Sequence, residues 1–258
     1  MVKERNAMAN YGHIIFYSLI GGVFSLLAGV LMLSHKKIAS SLAAYATPFS
    51  AGALLAAVFL DLLKDGLEEA SVDQVLMATL VGVLIFFLAE RFLRWFHHHH
   101  QHGSHDPSIG LIVAGDTVHN AMDGVAIAAA FLISVPTGIV TTLAVAAHEI
   151  PQEIGDFGLL LAKGMRRKRV LLINLFSAFA TTAMALLTFA LGSADRLPIG
   201  VLLGISAGFL LYIAMSDLIP TIHESSSPKK IIDRQPFLLV LGVLTVWLAI
   251  HFAHLIAG

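Results

Sequence analysis

Residues 116–156 read DTVHNAMDGVAIAAAFLISVPTGIVTTLAVAAHEIPQEIGD. Two apolar segments, joined by the link Ser134-Val135-Pro136-Thr137-Gly138, carry polar side chains that their surroundings do not explain. The first holds Asp116, His119, Asn120 and Asp123; the second holds His148, Glu149, Gln152, Glu153 and Asp156. Most other positions are Ala, Val, Ile, Leu or Phe. A charged side chain at the centre of a membrane helix costs about 2.5–3.5 kcal/mol on insertion scales. Side chains kept at that cost are expected to face an interior path and to bind something there.

The chain around this stretch supports a membrane reading. Of 258 residues, 57% are hydrophobic and 13% charged, a composition far from that of a soluble domain. The ten residues before Tyr11 are polar overall, and the apolar run that follows is long enough to span a bilayer. That first segment is therefore expected to remain in the protein rather than act as a cleaved leader. Cysteine is absent, so any metal chemistry must use nitrogen and oxygen ligands. A formal net charge of -1 offers nothing to nucleic acid.

Apolar runs of about 20 residues predict an all-α integral membrane bundle of eight transmembrane helices, at 12–33, 42–63, 74–96, 108–134, 138–162, 169–192, 198–221 and 236–256. Residues 1–258 read as one transmembrane domain in the lipid bilayer. The long uninterrupted runs exclude the barrel alternative. Lys and Arg partition unevenly between the two sides: Lys36, Lys37, Arg91, Arg94, Lys163, Arg166, Arg167, Lys168, Arg169, Lys229, Lys230 and Arg234 fall after odd-numbered helices, against Lys3, Arg5, Lys64 and Arg196 on the other side. The positive-inside rule then places both termini outside the cytoplasm of a cell (inner) membrane.

An internal resemblance relates the end of helix two, Asp61-Leu-Leu-Lys-Asp-Gly-Leu-Glu68, to that of helix seven, Asp217-Leu-Ile-Pro-Thr-Ile-His-Glu224. With opposite directions in the predicted topology, the two copies fit an inverted repeat of the transporter kind.

Spacing organises the polar residues into stripes. Asp116, His119 with Asn120, and Asp123 follow i, i+3/i+4, i+7 and share a face of helix four; His148, Gln152 and Asp156 recur every fourth residue on helix five, with Glu149 and Glu153 on an adjoining stripe. The short link makes the two helices antiparallel neighbours and brings both histidines to a similar depth. Imidazole with carboxylate and amide oxygen suits a borderline divalent ion such as zinc, with iron, manganese and cadmium admissible. His119, Asp123, His148 and Gln152 can make one site. Asn120 and Glu149 can make a second that shares Asp123 and Gln152. Pro151 removes a backbone donor and exposes the carbonyl of Ala147, which either bends or opens the helix beside these ligands or is simply tolerated, as prolines in membrane helices are. Asp116 and Asp156, toward the cytoplasmic helix ends, can guide an ion inward or serve as headgroup-facing charges. Asn174 on helix six is the further residue expected at the site, while His13, His251 and His254 read mainly as interfacial or packed. Asp61, Glu68 and Glu69 suit either an acidic outer mouth or a solvated helix end. The His-rich segment 97–107 lies on the predicted cytoplasmic side and suits weak, flexible metal capture, against the alternatives of a purification tag or an unselected low-complexity link.

These residues resemble the ZIP family of divalent metal transporters. His119-Asn-Ala-Met-Asp-Gly124 is similar to the family's HNxxDG motif, and His148-Glu-Ile-Pro-Gln-Glu-Ile-Gly-Asp156 to its HExPHExGD motif. The likeness extends to the eight-helix layout, the His-rich link and the stretch Ala207 to Asp217. It implies movement of zinc, and often iron, manganese or cadmium, toward the cytoplasm through a binuclear midplane site, commonly in a homodimer. It also implies a first ion on His119, Asp123, His148 and Gln152, and a second on Asn120, Asp123, Glu149 and Gln152, with Asn174 nearby. Gln152 departs from the family's usual His or Glu, leaving the site one strong ligand short, and Asn174 is neutral where some members carry a carboxylate.

Two other functions compete. His148-Glu149-Ile150-Pro151-Gln152 approaches the His-Glu-x-x-His zincin pattern but lacks its second histidine, which disfavours an intramembrane hydrolase. The reading is therefore not that of an enzyme, and the metal is substrate rather than prosthetic group. A membrane metal sensor that binds without conducting is separated from a transporter only by flux.

Overall fold

The computed structural model describes residues 9–99, 107–192, 197–225 and 234–257. Among the described residues the chain is entirely helical apart from turns and short connections. In order the helices are α1 (Tyr11–Gly21), α2 (Leu26–Ser34), α3 (Lys36–Ala57), α4 (Leu63–Glu69), α5 (Val72–His99), α6 (Pro107–Ile133), α7 (Val135–Ala162), α8 (Arg167–Gly192), α9 (Ile199–Ile213), α10 (Ile219–Ser225) and α11 (Gln235–Ala257). Six of the resulting rods are long and apolar enough to cross a membrane: Tyr11–Leu31, Ser41–Glu69, Val72–Phe92, Arg167–Gly192, Ile199–Glu224 and Gln235–Phe252. α6 and α7, at 27 and 28 residues, have the length, and they carry the polar stripes.

The first predicted helix is interrupted. α1 ends at Gly21 and α2 begins at Leu26, across a turn in which the Ser25 hydroxyl donates to the Gly22 carbonyl. Adjacent glycines lower the helical preference there, and the serine offers the backbone an alternative bond. Helix two is longer than expected: α3 runs into a π-helical turn, Val58–Leu62, and on into α4, so the predicted acidic link shrinks to Ala70-Ser71. α9 runs likewise through a π-helical turn, Ala214–Leu218, into α10.

The five-residue link between helices four and five contracts to Ser134. Its hydroxyl accepts from the Thr137 backbone amide at 3.1 Å, and Pro136 in the first turn supplies a helical φ. Helix α7 therefore starts at once and folds back along α6. His119 and His148 lie fifteen and fourteen residues from this turn, which sets them at the same height in the hairpin.

The helices pack in two groups. α6 lies closely along α8, with α1, α2 and α7 against them; α5 lies along α9, and α3 along α11. Glycine makes the tightest contacts within each group. A Cβ on Gly124 would meet the Thr181 carbonyl oxygen at 2.1 Å, so α6 and α8 touch through backbone just beyond Asp123. A Cβ on Gly208 would meet the Thr79 carbonyl oxygen at 2.0 Å, the same device between α9 and α5. Small-residue packing of this kind replaces the hydrophobic drive that is absent between helices in lipid. The groups meet along a seam where α3 packs on α7 and α9 on α6. Exposed Leu, Phe and Val line the outside of α5, α8 and α11, as lipid contact requires. Segment 100–106 of the His-rich region lies outside the described residues, α5 having continued to His99.

Candidate metal centre

Four donor atoms converge at the middle of the α6–α7 hairpin. His119 and His148 approach Nε2 to Nε2 at 3.1 Å. Asp123 Oδ2 lies 3.4 Å from His148 Nε2 and 3.7 Å from His119 Nε2; Glu149 Oε1 lies 3.4 Å from His119 Nε2 and 3.7 Å from His148 Nε2. All four atoms are within 4.8 Å of one another, and all four residues are buried. Zinc bonds of about 2.0–2.1 Å in a tetrahedron give ligand-to-ligand edges of about 3.3–3.4 Å. The five edges above bracket that value and the sixth, between Asp123 and Glu149, is at most 4.8 Å, so a cation fits between these atoms after modest side-chain adjustment.

Charge and hydrogen bonding point the same way. Neither oxygen of Asp123 nor of Glu149 has a hydrogen-bond partner, although Asp123 is fully buried and Glu149 is 1% exposed. Carboxylates without donors in such a place are costly unless a cation accompanies them. The His148 ring is oriented for ligation. Its Nδ1 faces the Ala144 carbonyl at 3.3 Å; a carbonyl only accepts, so Nδ1 is the donor nitrogen and Nε2 is the one turned to the centre. Such an outer partner fixes both tautomer and ring angle. The His119 ring is held by Phe86 of α5 and Phe209 of α9, whose edges meet it at centroid distances of 6.0 and 5.4 Å. Nothing in the sequence pattern singled out these two phenylalanines, because an aromatic on an apolar helix face is ordinary core.

The other expected site residues lie outside the tetrad. Asn120 is fully buried and links helices: its Nδ2 donates to Asp116 Oδ1 at 2.9 Å and to the Asp116 carbonyl at 3.1 Å, and its Oδ1 accepts from the Thr181 hydroxyl of α8 at 2.9 Å. Gln152, one turn beyond His148, is half-buried. Glu153 is buried with neither oxygen partnered, and it lies in electrostatic reach of Glu149, Asp116 and Asp156. Asn174 is buried on α8, its amide donating to the Val170 carbonyl at 2.8 Å. The converging tetrad thus takes His119, Asp123 and His148 from the first ligand set expected from sequence and Glu149 from the second. Of the outlying histidines, His13 closes the α1 capping box with Asn10, and His251 stacks on Trp247 at 5.8 Å. The side chain of His254 lies outside the described residues.

Pro151 does not open α7, which continues through it to Ala162. The Ala147 carbonyl that it deprives of an intrahelical donor instead accepts from the Ser50 hydroxyl of α3. Nearer Ser134 on the same seam, the Thr137 hydroxyl donates to Asp65 Oδ2 at 2.9 Å, and that of Thr141 to the buried Asp61 at 3.5 Å.

The family model described as ZIP Zinc transporter matches residues 108–249, more than half of the chain. The chain is 40% identical over 141 residues to zinc transporter ZIP4 of Mus musculus, 53% of this chain and 20% of that protein. It is 36% identical over 137 residues to zinc transporter ZIP10 of Danio rerio, 52% of this chain and 16% of that protein. To zinc transporter zipt-7.2 of Caenorhabditis elegans it is 34% identical over 142 residues, 54% of this chain and 30% of that protein. The chain therefore spans well under half the length of these relatives.

Proposed function

The chain belongs to the ZIP zinc transporter family, and on that premise we propose that it moves divalent metal cations, zinc foremost, across a membrane into the cytoplasm through the His119–Asp123–His148–Glu149 centre. The observation that carries the reading is the convergence of two imidazoles and two donorless buried carboxylates within 4.8 Å. A dication cancels the two carboxylate charges while neutral imidazoles complete its shell, so arrival of the ion removes the cost of burying them. Departure restores that cost, which favours retention, so release requires the carboxylates to regain water or a proton. The donor set also admits cadmium, manganese and iron(II). Zinc here is substrate, and no prosthetic group is proposed.

The finer parts of the reading rest on the following support. Adding α6 and α7 to the six apolar rods makes eight spans, and the Lys and Arg distribution puts both termini outside the cytoplasm. An inverted repeat is supported by a backbone likeness beyond the short sequence match. Asp61 and Asp217 each occupy the fourth place of a five-residue π-helical turn, and each turn leads into a seven-residue helix. Asp116, Glu153 and Asp156 continue the acidic character from the tetrad toward the predicted cytoplasmic end and serve as an exit path. Gln152, Asn120 and Asn174 are proposed as weaker oxygen donors for a second ion. The family resemblance is the support for a homodimer, and the apolar helices with the Lys and Arg distribution are the support for a cell-membrane setting. The His-rich segment 97–107 supplies cytoplasmic capture.

Purified protein in liposomes loaded with a fluorescent zinc chelator tests the reading, with His148→Ala as control and cadmium, manganese and iron(II) as competitors. Zinc influx that collapses in the variant is the expected result. Saturable binding without influx would refute transport and leave a metal sensor.

A further inference from the structure

We propose that Ser50 is a positioning residue for the metal centre: its hydroxyl takes the place of the backbone donor that Pro151 removes from α7, and so fixes the peptide that carries His148. The inference rests on the metal-binding reading of the tetrad.

Proline at position 151 has no N–H, and its ring crowds the carbonyl four residues earlier. That carbonyl belongs to Ala147, and its peptide unit includes the backbone nitrogen of His148. Left alone, it would be a buried acceptor without a donor directly beside two of the four metal-facing side chains, and its peptide plane would be free to tilt. Ser50 meets this need from another helix. The residue is fully buried on α3, and its hydroxyl donates to the Ala147 carbonyl. A helical serine or threonine in an apolar setting ordinarily bonds back to its own carbonyl at i-4, as Thr47, Thr79, Thr117, Thr142 and Thr245 do here. Ser50 turns across the seam between the two helix groups instead. The carbonyl one turn earlier, at Ala144, receives the His148 ring nitrogen. His148 is therefore set from two directions, its ring by the Ala144 carbonyl and its main chain by the Ser50 hydroxyl.

A double-mutant cycle tests this. Zinc affinity is measured by chelator competition in detergent for the wild type, Ser50→Ala, Pro151→Ala and the double variant. Losing an outer partner of a metal-ligating histidine weakens binding about 10–100-fold, and the low end of that range is expected for Ser50→Ala. Pro151→Ala returns the amide donor to Ala147, so in that background Ser50→Ala should change affinity less than about 2-fold. The isosteric pair Ser50→Thr and Ser50→Val separates the hydroxyl from packing: the threonine variant should retain affinity and the valine variant lose it. Thermal unfolding of the four metal-free proteins reads the same coupling with no metal present. Failure of the wild type to bind zinc would thus sink the metal-binding reading, and the unfolding cycle would still decide whether Ser50 and Pro151 act together. Additive effects of the two substitutions, or an unchanged zinc affinity in Ser50→Ala with the valine variant equal to the threonine variant, would overturn the proposal.

Discussion

Asp123→Asn separates stability from function in opposite directions. The aspartate is fully buried, neither of its oxygens has a donor, and Oδ2 lies within 4 Å of both histidine Nε2 atoms. An asparagine of the same shape removes one of the two carboxylate charges and places an amide donor beside Glu149, whose oxygens also lack partners. A buried unsatisfied polar group costs about 1–3 kcal/mol, more when charged, so the metal-free variant should be more stable than the metal-free wild type by about that range. The zinc-bound state should lose far more. An anionic ligand is gone, and removing even an outer partner of a ligand costs about 10–100-fold in affinity, so at least 100-fold is expected here. The assay is thermal unfolding in detergent with EDTA and with excess zinc. Wild type at 100 times its Kd gains about 2.7 kcal/mol from the ion, and the variant at the same zinc concentration gains about 0.4 kcal/mol or less. A metal-free variant less stable than wild type, or one that keeps the zinc-induced rise, would refute the claim that this carboxylate is held for a cation.

Further expectations follow from other contacts. Gly124→Ala drives a Cβ to 2.1 Å from the Thr181 carbonyl, so α6 must separate from α8; overpacking of this kind costs about 1–3 kcal/mol, and folded yield and zinc binding should fall together in size-exclusion and titration experiments. Thr181→Val removes the donor to Asn120 Oδ1 and should lower the unfolding free energy by about 1–2 kcal/mol, with a smaller effect on zinc affinity than His148→Ala. Gln152→His adds an imidazole one turn from His148 and should raise the number of zinc ions bound per chain, read by metal analysis after desalting; unchanged stoichiometry would argue against Gln152 lying within reach of a second ion. Phe209→Ala strips one wall from the His119 ring and should cost about 3–5 kcal/mol if the cavity stays empty, with zinc affinity reduced through the freed ring.

The membrane character and the helix-four and helix-five stripes were legible because both depend on local pattern. Apolar runs give length, and i, i+3/i+4 spacing gives a shared face. Glu149 is the instructive case. Spacing alone sets it about 100° round α7 from His148, and it was assigned to a separate ligand set. In the folded hairpin the two side chains converge because α6 presents His119 and Asp123 between them, a relation that the sequence of either helix does not contain. Ser50 was invisible for a related reason. Pro151 announces a carbonyl in need of a donor, yet the donor comes from 97 residues away, and helix α3 offers several hydroxyls with equal local claims. The helix ends missed in sequence lie where a cap or a π-helical turn prolongs the helix, as at Ser134 and Val58–Leu62.

The two π-helical turns carry the architecture one step further. They match in length and in the place of their aspartate, yet Asp61 is 4% exposed and faces Thr141 of α7, while Asp217 is exposed. On the proposed inverted repeat, a common backbone with unlike surroundings is expected where one copy packs into the seam and the other does not. α3, the π-helical turn after it and α4 meet α7 through hydrogen bonds of Ser50, Asp61 and Asp65. Within each helix group the tightest contacts are glycine to backbone, and any displacement there opens a void. The polar seam therefore runs beside the helix that carries His148 and Glu149, and the close-packed contacts hold that helix's own group together. On this arrangement, substitutions along the seam should alter how the metal centre is set, whereas substitutions at the glycines should decide whether there is a folded bundle to carry it.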